Sequence, residues 1–432
     1  MLKKILPLFL ILIFLSVSGF GCRDPHEKEE ITLTFWNLWD DSGQWRELIE
    51  AYEIANPNIK IKYYKKNVLE YEEELIDALA AGKGPDIFVI NNSWMPRYFD
   101  KINPISQELI TDSQKLITER EFKEQFVDVA YYDFVVDGKI YAVPFSVDTL
   151  ALYYNKDFFN TVGIPEPPKT WEEFKDAVER LTEIDEYGNI TRAGAAIGTA
   201  KNVNRSIDIL SLLMLQSGVQ MTNPKNTAAT FNQGVEIEGK DYLPGLTALR
   251  FYVDFANASK RVYTWNPRMH YSIDSFYEGK AAMMFNYSYH IPTIKAKAAK
   301  LNFGVAPIPQ ISGSEVDVNY ANYWANAVSS LSFHPTEAWD FILFVAEKEN
   351  LEKYLAETGK PTARRDLVIK QIDDVYLGVF AEQALTAQSW QQVDEKRIES
   401  IFADMIESVV LGQTTAEEAL NLAVVQVSRL ME

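Results

Sequence analysis

The residues best suited to chemistry in this sequence are aromatic rings set beside carboxylates and amides at the ends of apolar runs. Trp36-Asn37-Leu38-Trp39-Asp40 follows one such run, and Asn91-Asn92-Ser93-Trp94 follows another. Flat rings cover patches of C–H, while carboxylates and amides hydrogen-bond to hydroxyls. Trp36, Trp39, Asp40, Asn92 and Trp94 therefore suit a small hydroxylated ligand. Neither stretch is glycine-rich, and no GxGxxG or GxxxxGK[ST] occurs, so the usual phosphate cradles are missing. His26, His270, His290 and His334 are scattered, with none paired at helix spacing with another ligand type, which argues against a zinc site. Asp185-Glu186-Tyr187-Gly188-Asn189 lacks the order of an EF-hand loop and reads as a β-turn. The sequence implies neither a cofactor nor a metal.

The elements that must position these side chains are legible from periodicity. Ile31 to Trp36 alternates apolar and polar residues, the pattern of a strand. Asp41 or Ser42 can cap a helix carrying Trp45, Leu48, Ile49, Tyr52 and Ala55 on one face, which Asn56-Pro57 ends. A second strand at Ile59, Ile61 and Tyr63, a helix with Leu75, Ile76 and Leu79 inside, and a third strand over 86–90 follow. Strand and helix alternating in this way predict right-handed crossovers and a parallel sheet covered on both faces. Ligands bind such sheets at the carboxyl ends of the strands, where the two aromatic stretches lie. Thr170 with Glu173 and Thr415 with Glu418 are capping boxes that open later helices.

Composition narrows the partners. The chain has 432 residues, with 61 acidic against 42 basic and a net charge of −19, which would repel nucleic acid and an anionic bilayer surface. Lys3 and Lys4 precede an apolar run from Ile5 to Val17, too short for a comfortable span of about 20 residues, which reads as an export signal over 1–21. Cys22 is the single cysteine, so no disulfide forms within the chain. It stands where a bacterial lipobox carries its lipidated cysteine, with residues 22–30 as a charged tether. The remaining length fits two domains.

The stretch Gly138-Lys139-Ile140-Tyr141-Ala142-Val143-Pro144-Phe145-Ser146-Val147-Asp148-Thr149-Leu150-Ala151-Leu152-Tyr153-Tyr154-Asn155 and its continuation to Phe159 resembles the signature of the family 1 extracellular solute-binding proteins, relatives of the maltose-binding protein. Phe276 to Phe285, with its Gly-Lys-Ala-Ala-Met run, and Phe303 to Pro309 match the same family in order. The resemblance implies an α/β, two-lobed periplasmic-binding-protein fold, each lobe a mostly parallel sheet flanked by helices. It places one lobe at 31–144 plus 326–361 and the other at 148–322 plus 365–432. Short crossings near Pro144–Asp148, Asn322–Asn326 and Pro361–Asp366 would form a hinge.

The same resemblance implies a site. Asp148 falls on the first crossing, where the family often places an acid that holds a sugar. Tyr289 stands where many relatives carry a stacking Trp, and Trp324 lies at the second crossing. The expected function is capture of a sugar or oligosaccharide in the cleft and delivery to the permease subunits of an ABC transporter with their ATPase. The protein is then a non-enzymatic monomer, exported to the outer face of the cytoplasmic membrane or the periplasm and touching the membrane through its N-terminal lipid alone. An exported glycoside hydrolase, a surface adhesin and a binding protein for a peptide or polyamine stay open as alternatives.

Overall fold

The computed structural model describes residues 30–105, 116–237 and 239–432. The expected export leader, Cys22 and the tether up to residue 29 lie outside them. Strand β1 (Ile31–Asn37) buries Leu33 and Phe35 on one face and pairs in parallel with β2 (Ile59–Lys65) and β3 (Ile87–Asn91). Helix α1 (Ser42–Ala55) turns Trp45, Leu48 and Tyr52 inward, and the N–H of Asp41 donates to Gln44 Oε1 at 2.8 Å at its start. Helix α2 (Tyr71–Ala80) buries Tyr71, Leu75 and Leu79, and Gly82, at φ +66°, lets the chain reverse toward β3. Two later segments complete this sheet in the order β2, β1, β3, Trp324–Val328, Val143–Pro144, with both additions antiparallel to their neighbours.

A second body is built around β4 (Ala151–Asn155), flanked by β5 (Met283–Asn286) and β6 (Phe303–Ala306). Both pairings are antiparallel, against the mostly parallel sheet expected for this lobe. The reason lies in the connections: β4 meets neighbours that return more than a hundred residues later, so no strand-helix-strand unit dictates direction. Helix α3 (Trp171–Leu181) starts as its sequence predicts, with the Glu173 N–H donating to Thr170 Oγ1 at 3.2 Å. Helix α4 (Ser206–Gln216) is buried on nearly every side from Ser206 to Met214 and runs through the body rather than over it. Helices α5 (Glu395–Val410) and α6 (Ala416–Leu430) cover it, α6 capped by Thr415 and Glu418.

The chain therefore folds into two lobes, each with its own apolar core. Val147 packs in the first core and Leu150 in the second; Tyr320 packs in the second and Ala321 in the first. These crossings lie side by side. Thr149 bridges Ala321, Ser146 bridges Thr362, and Asn322 N–H donates to Asp148 O at 3.1 Å. The second crossing thus falls just before residues 322–326, because Trp324–Val328 is already a strand of the first sheet. Leu367, on the far side of the boundary expected at 365, also packs into the first core.

Candidate ligand-binding cleft

On the first lobe, three tryptophans form a row. The chain leaves β3 through a turn in which Asn91 Oδ1 accepts from the N–H and hydroxyl of Ser93 at 3.0 and 2.8 Å. That turn sets Trp94 against Tyr98, stacked at 5.3 Å, and against the edge of Trp324, with centroids 5.0 Å apart. Trp324 in turn meets Trp39, 6.4 Å away at 74°. Burial falls along the row: Trp94 is 7% exposed, Trp324 is intermediate and Trp39 is 50% exposed.

The second lobe presents a polar counterpart. Arg205 precedes α4 at φ 60° and ψ 26°, a left-handed conformation that costs a residue with a Cβ about 1 to 2 kcal/mol. Its Nε and Nη2 donate to the Tyr289 hydroxyl at 3.1 and 3.0 Å, and its Nη1 stands 3.8 Å from Asp208 Oδ2. Tyr287 OH donates to Asp208 at 2.8 Å, and the rings of Tyr287 and Tyr289 stack at 6.0 Å. Burial pushes the Asp208 and Glu395 carboxyls above their ordinary range, while Arg205 pulls both back.

The two walls meet at one point. Trp94 Nε1 donates to Glu395 Oε2 at 2.9 Å, and Gln392 N–H donates to Ser93 O at 3.0 Å. Asn92, Ser93, Arg205, Asp208, Asn322 and Glu395 are among the residues enclosing about 40 Å³ there, room for about one water. A larger hollow lies elsewhere, lined by Pro165, Pro167, Lys169 and Arg180 on the second lobe, without an aromatic ring.

The residues named from sequence do not all gather here. Trp39, Trp94 and Trp324 come together, and Tyr289 stands on the opposite wall. Asp148 sits at the crossing, but its carboxylate accepts from Ser288 N–H at 3.0 Å, Ser288 Oγ at 2.7 Å and Thr149 N–H at 3.0 Å. Burial raises its pKa to about 6 despite those donors. Asp40 is buried and engaged elsewhere: Lys360 Nζ and Tyr354 OH each donate to it at 2.6 Å. Asn92 borders the hollow where the walls meet, but its amide is engaged within the first lobe, where Nδ2 donates to Asp133 at 3.1 Å and Oδ1 accepts from Tyr323 N–H at 3.2 Å. Trp36 carries Lys66 Nζ 4.0 Å from its ring centre and has no contact with the tryptophan row among the described ring pairs.

Arg205, Asp208 and Glu395 escape the sequence reading. For Arg205 and Asp208 the one sequence signal is local: Asn202-Val203-Asn204-Arg205-Ser206, polar but for Val203, stands directly before Ile207 to Leu215, apolar but for Asp208 and Ser211. Glu395 has none, since an acid in the first turn of a helix is ordinary.

Residues 47–374 match the family described as bacterial extracellular solute-binding protein, and the chain belongs to that family. It is a family of exported binding proteins. Among curated relatives, a maltodextrin-binding protein of Bacillus subtilis is 26% identical over 95% of this chain and 94% of the relative. An sn-glycerol-3-phosphate-binding periplasmic protein of Salmonella typhimurium is 25% identical over 93% and 92%. Among solved structures, the sugar-binding protein MalE of Xanthomonas citri superposes with a TM-score of 0.75 at 21% identity, covering 93% of this chain and 97% of that one. The cyclic α-maltosyl-1,6-maltose binding protein of Arthrobacter globiformis gives 0.75 at 20%, covering 93% and 99%. These likenesses fix the fold as that of two-lobed solute-binding proteins.

Proposed function

We propose that this chain captures a sugar or oligosaccharide between its lobes and presents it to the permease of an ABC importer. The observation that carries this reading is the row Trp94, Trp324 and Trp39 on one lobe, opposite the hydrogen-bonding groups Arg205, Asp208 and Tyr289 on the other. Pyranose faces stack on indoles, and pyranose hydroxyls take charge-assisted hydrogen bonds at their rims. The names of the maltodextrin-binding and MalE relatives favour the same class. A phosphate ester, the ligand in another relative's name, fits less well, because among the described residues lining this site Arg205 stands with three acids, Asp208, Glu395 and Glu399.

Ligand capture works here through the hinge. A ligand that touches both walls binds the closed arrangement better than the open one, and that difference alone shifts the population. The permease then distinguishes the two shapes. Nothing in this reading requires bond cleavage. Lipidation of Cys22 would hold the protein at the outer face of the membrane as a monomer.

A thermal-shift screen against a broad saccharide panel, with glycerol 3-phosphate, amino acids, peptides and polyamines as comparators, tests the ligand class. A ligand at a hundredfold excess over Kd stabilises the native state by about 2.7 kcal/mol, so a true ligand raises Tm visibly. Shifts from the comparators with none from any saccharide would overturn the sugar reading. Shorter products after incubation with oligosaccharides would overturn the binding-only reading. Fatty-acid labelling that persists in Cys22→Ser would refute the anchor.

A further inference from the structure

We infer that the cleft is a groove closed at one end, which takes a short saccharide or the terminal units of a longer chain and excludes internal segments and closed rings. The inference rests on the sugar-capture reading and adds the geometry of the ligand. Its basis is the order of residues along the two walls. On the first lobe the order is Trp94, Trp324, Trp39; on the second it is Glu395, then Asp208 with Arg205, then Tyr289.

The first members of the two rows are joined to each other. Trp94 Nε1 reaches Glu395 Oε2 at 2.9 Å, and just outside that contact Lys396 Nζ lies 3.7 Å from Glu72 of α2. The last members are the most exposed of their rows, Trp39 at 50% and Tyr289 at 48%, against 7% for Trp94. Two walls that touch at one end and reach solvent at the other enclose a blind groove. A sugar ring stacked on Trp324 has the Trp94 and Glu395 pair on one side and the exposed Trp39 on the other.

A consequence for recognition follows. The unit nearest the closed end is surrounded, so a substituent there has no room, whereas units beyond Trp39 extend into solvent and add no contacts. Affinity should rise with chain length over the first few units and then level off.

Calorimetry decides the matter with a linear oligosaccharide that the saccharide panel identifies, compared with three derivatives. These are the same oligomer with a bulky group on its reducing end, with that group on its non-reducing end, and a cyclic oligomer of the same sugar. We expect one substituted end to be tolerated within about threefold, and the other substituted end and the ring to lose at least tenfold. Tolerance of both ends, or binding of the ring as tight as the linear form, means a groove open at both ends and overturns the inference. Rejection of both ends means a sealed pocket and overturns it equally. If no saccharide of any length binds, it is the sugar-capture reading that fails. Glu395→Ala, which frees Trp94 from its partner, should narrow the affinity gap between the rejected derivative and the tolerated one, and an unchanged gap would mean that this pair does not close the groove.

Discussion

Asp148 accepts both the N–H and the hydroxyl of Ser288, at 3.0 and 2.7 Å, and so ties the first inter-lobe crossing to the turn that carries Tyr289. The acid acts as a brace for an exposed tyrosine rather than as a free arm reaching into the cleft. Asp148→Asn replaces one acceptor oxygen by a donor facing donors, at a cost of about 1 to 3 kcal/mol. We expect a lower Tm in the ligand-free protein together with weaker binding, read by calorimetry and melting on the same sample. An unchanged Tm with lost binding would instead mean that the carboxylate meets the ligand directly.

Trp324 should carry binding energy without carrying the fold. Removing one desolvated stacking surface worth roughly 2 kcal/mol weakens Kd some thirtyfold. Trp171, buried on α3 among Phe174, Phe251 and Phe285, is the contrasting case. Trp171→Ala should cost about 3 to 5 kcal/mol of stability and leave the Kd of the folded fraction unchanged. Calorimetry on both variants that shows the reverse pattern would remove the tryptophan row from the site.

The left-handed backbone at Arg205 separates side chain from conformation. Arg205→Ala and Arg205→Gly lose the same contacts to Tyr289, but only the alanine keeps the strain of a Cβ at φ 60°. Both should bind at least tenfold more weakly, with the glycine variant about 1 kcal/mol more stable than the alanine one in denaturant melts. Equal stabilities would mean that the backbone relaxes once the guanidinium is gone.

Acid should stabilise the ligand-free protein at first. Burial raises Asp133 and Asp148 to about 6, so in the folded state both hold protons that the unfolded chain gives up near 4. Their contribution is fully present below the unfolded pKa and is lost as pH climbs through 6. Asp208 and Glu395 shift in the same direction. His290, lowered to about 4 by burial, opposes them, since it gains stability as pH rises from 4 to 6.5. Asp133 and Asp148, with Asp208, Glu347 and Glu395 shifted the same way, against one histidine predict a Tm that rises from pH 7 to about 5, and carboxyl NMR titration should place the Asp133 and Asp148 midpoints near 6. Midpoints near 4 would contradict the burial argument.

Asp40, which is buried, forms an ion pair with Lys360, whose side chain is 25% exposed. Lys360→Met strands the carboxylate and should cost about 3 to 5 kcal/mol, part of which Asp40→Asn in the same chain restores. Chemical denaturation of the two single variants and the double one measures that recovery.

How far the sequence foretells these arrangements depends on the range over which each is decided. Alternation in Ile31 to Trp36, the spacing of Trp45, Leu48 and Tyr52, and the Thr170 and Thr415 boxes are local signals, and the elements they predict are present. Asp40 and Asn92 lie at the strand ends where a ligand residue would be sought. Their partners are Lys360, which lies 320 positions away, and Asp133, and no spacing rule reveals either. Trp94 and Glu395, 301 positions apart, are invisible as a pair for the same reason, although each is ordinary in its own segment. The antiparallel second sheet is hidden because β4 takes its neighbours from the far side of a long insertion.

The strand Trp324–Val328 sits between β3 and Val143–Pro144, so the first sheet lacks an interior member until that segment arrives. The second core likewise waits for α5 and α6 at the far end of the sequence. Neither lobe can finish while the chain is still being delivered from its N-terminus, and pairings this distant form slowly. For an exported protein the consequence is that the native shape becomes available only once nearly all of the chain has been delivered.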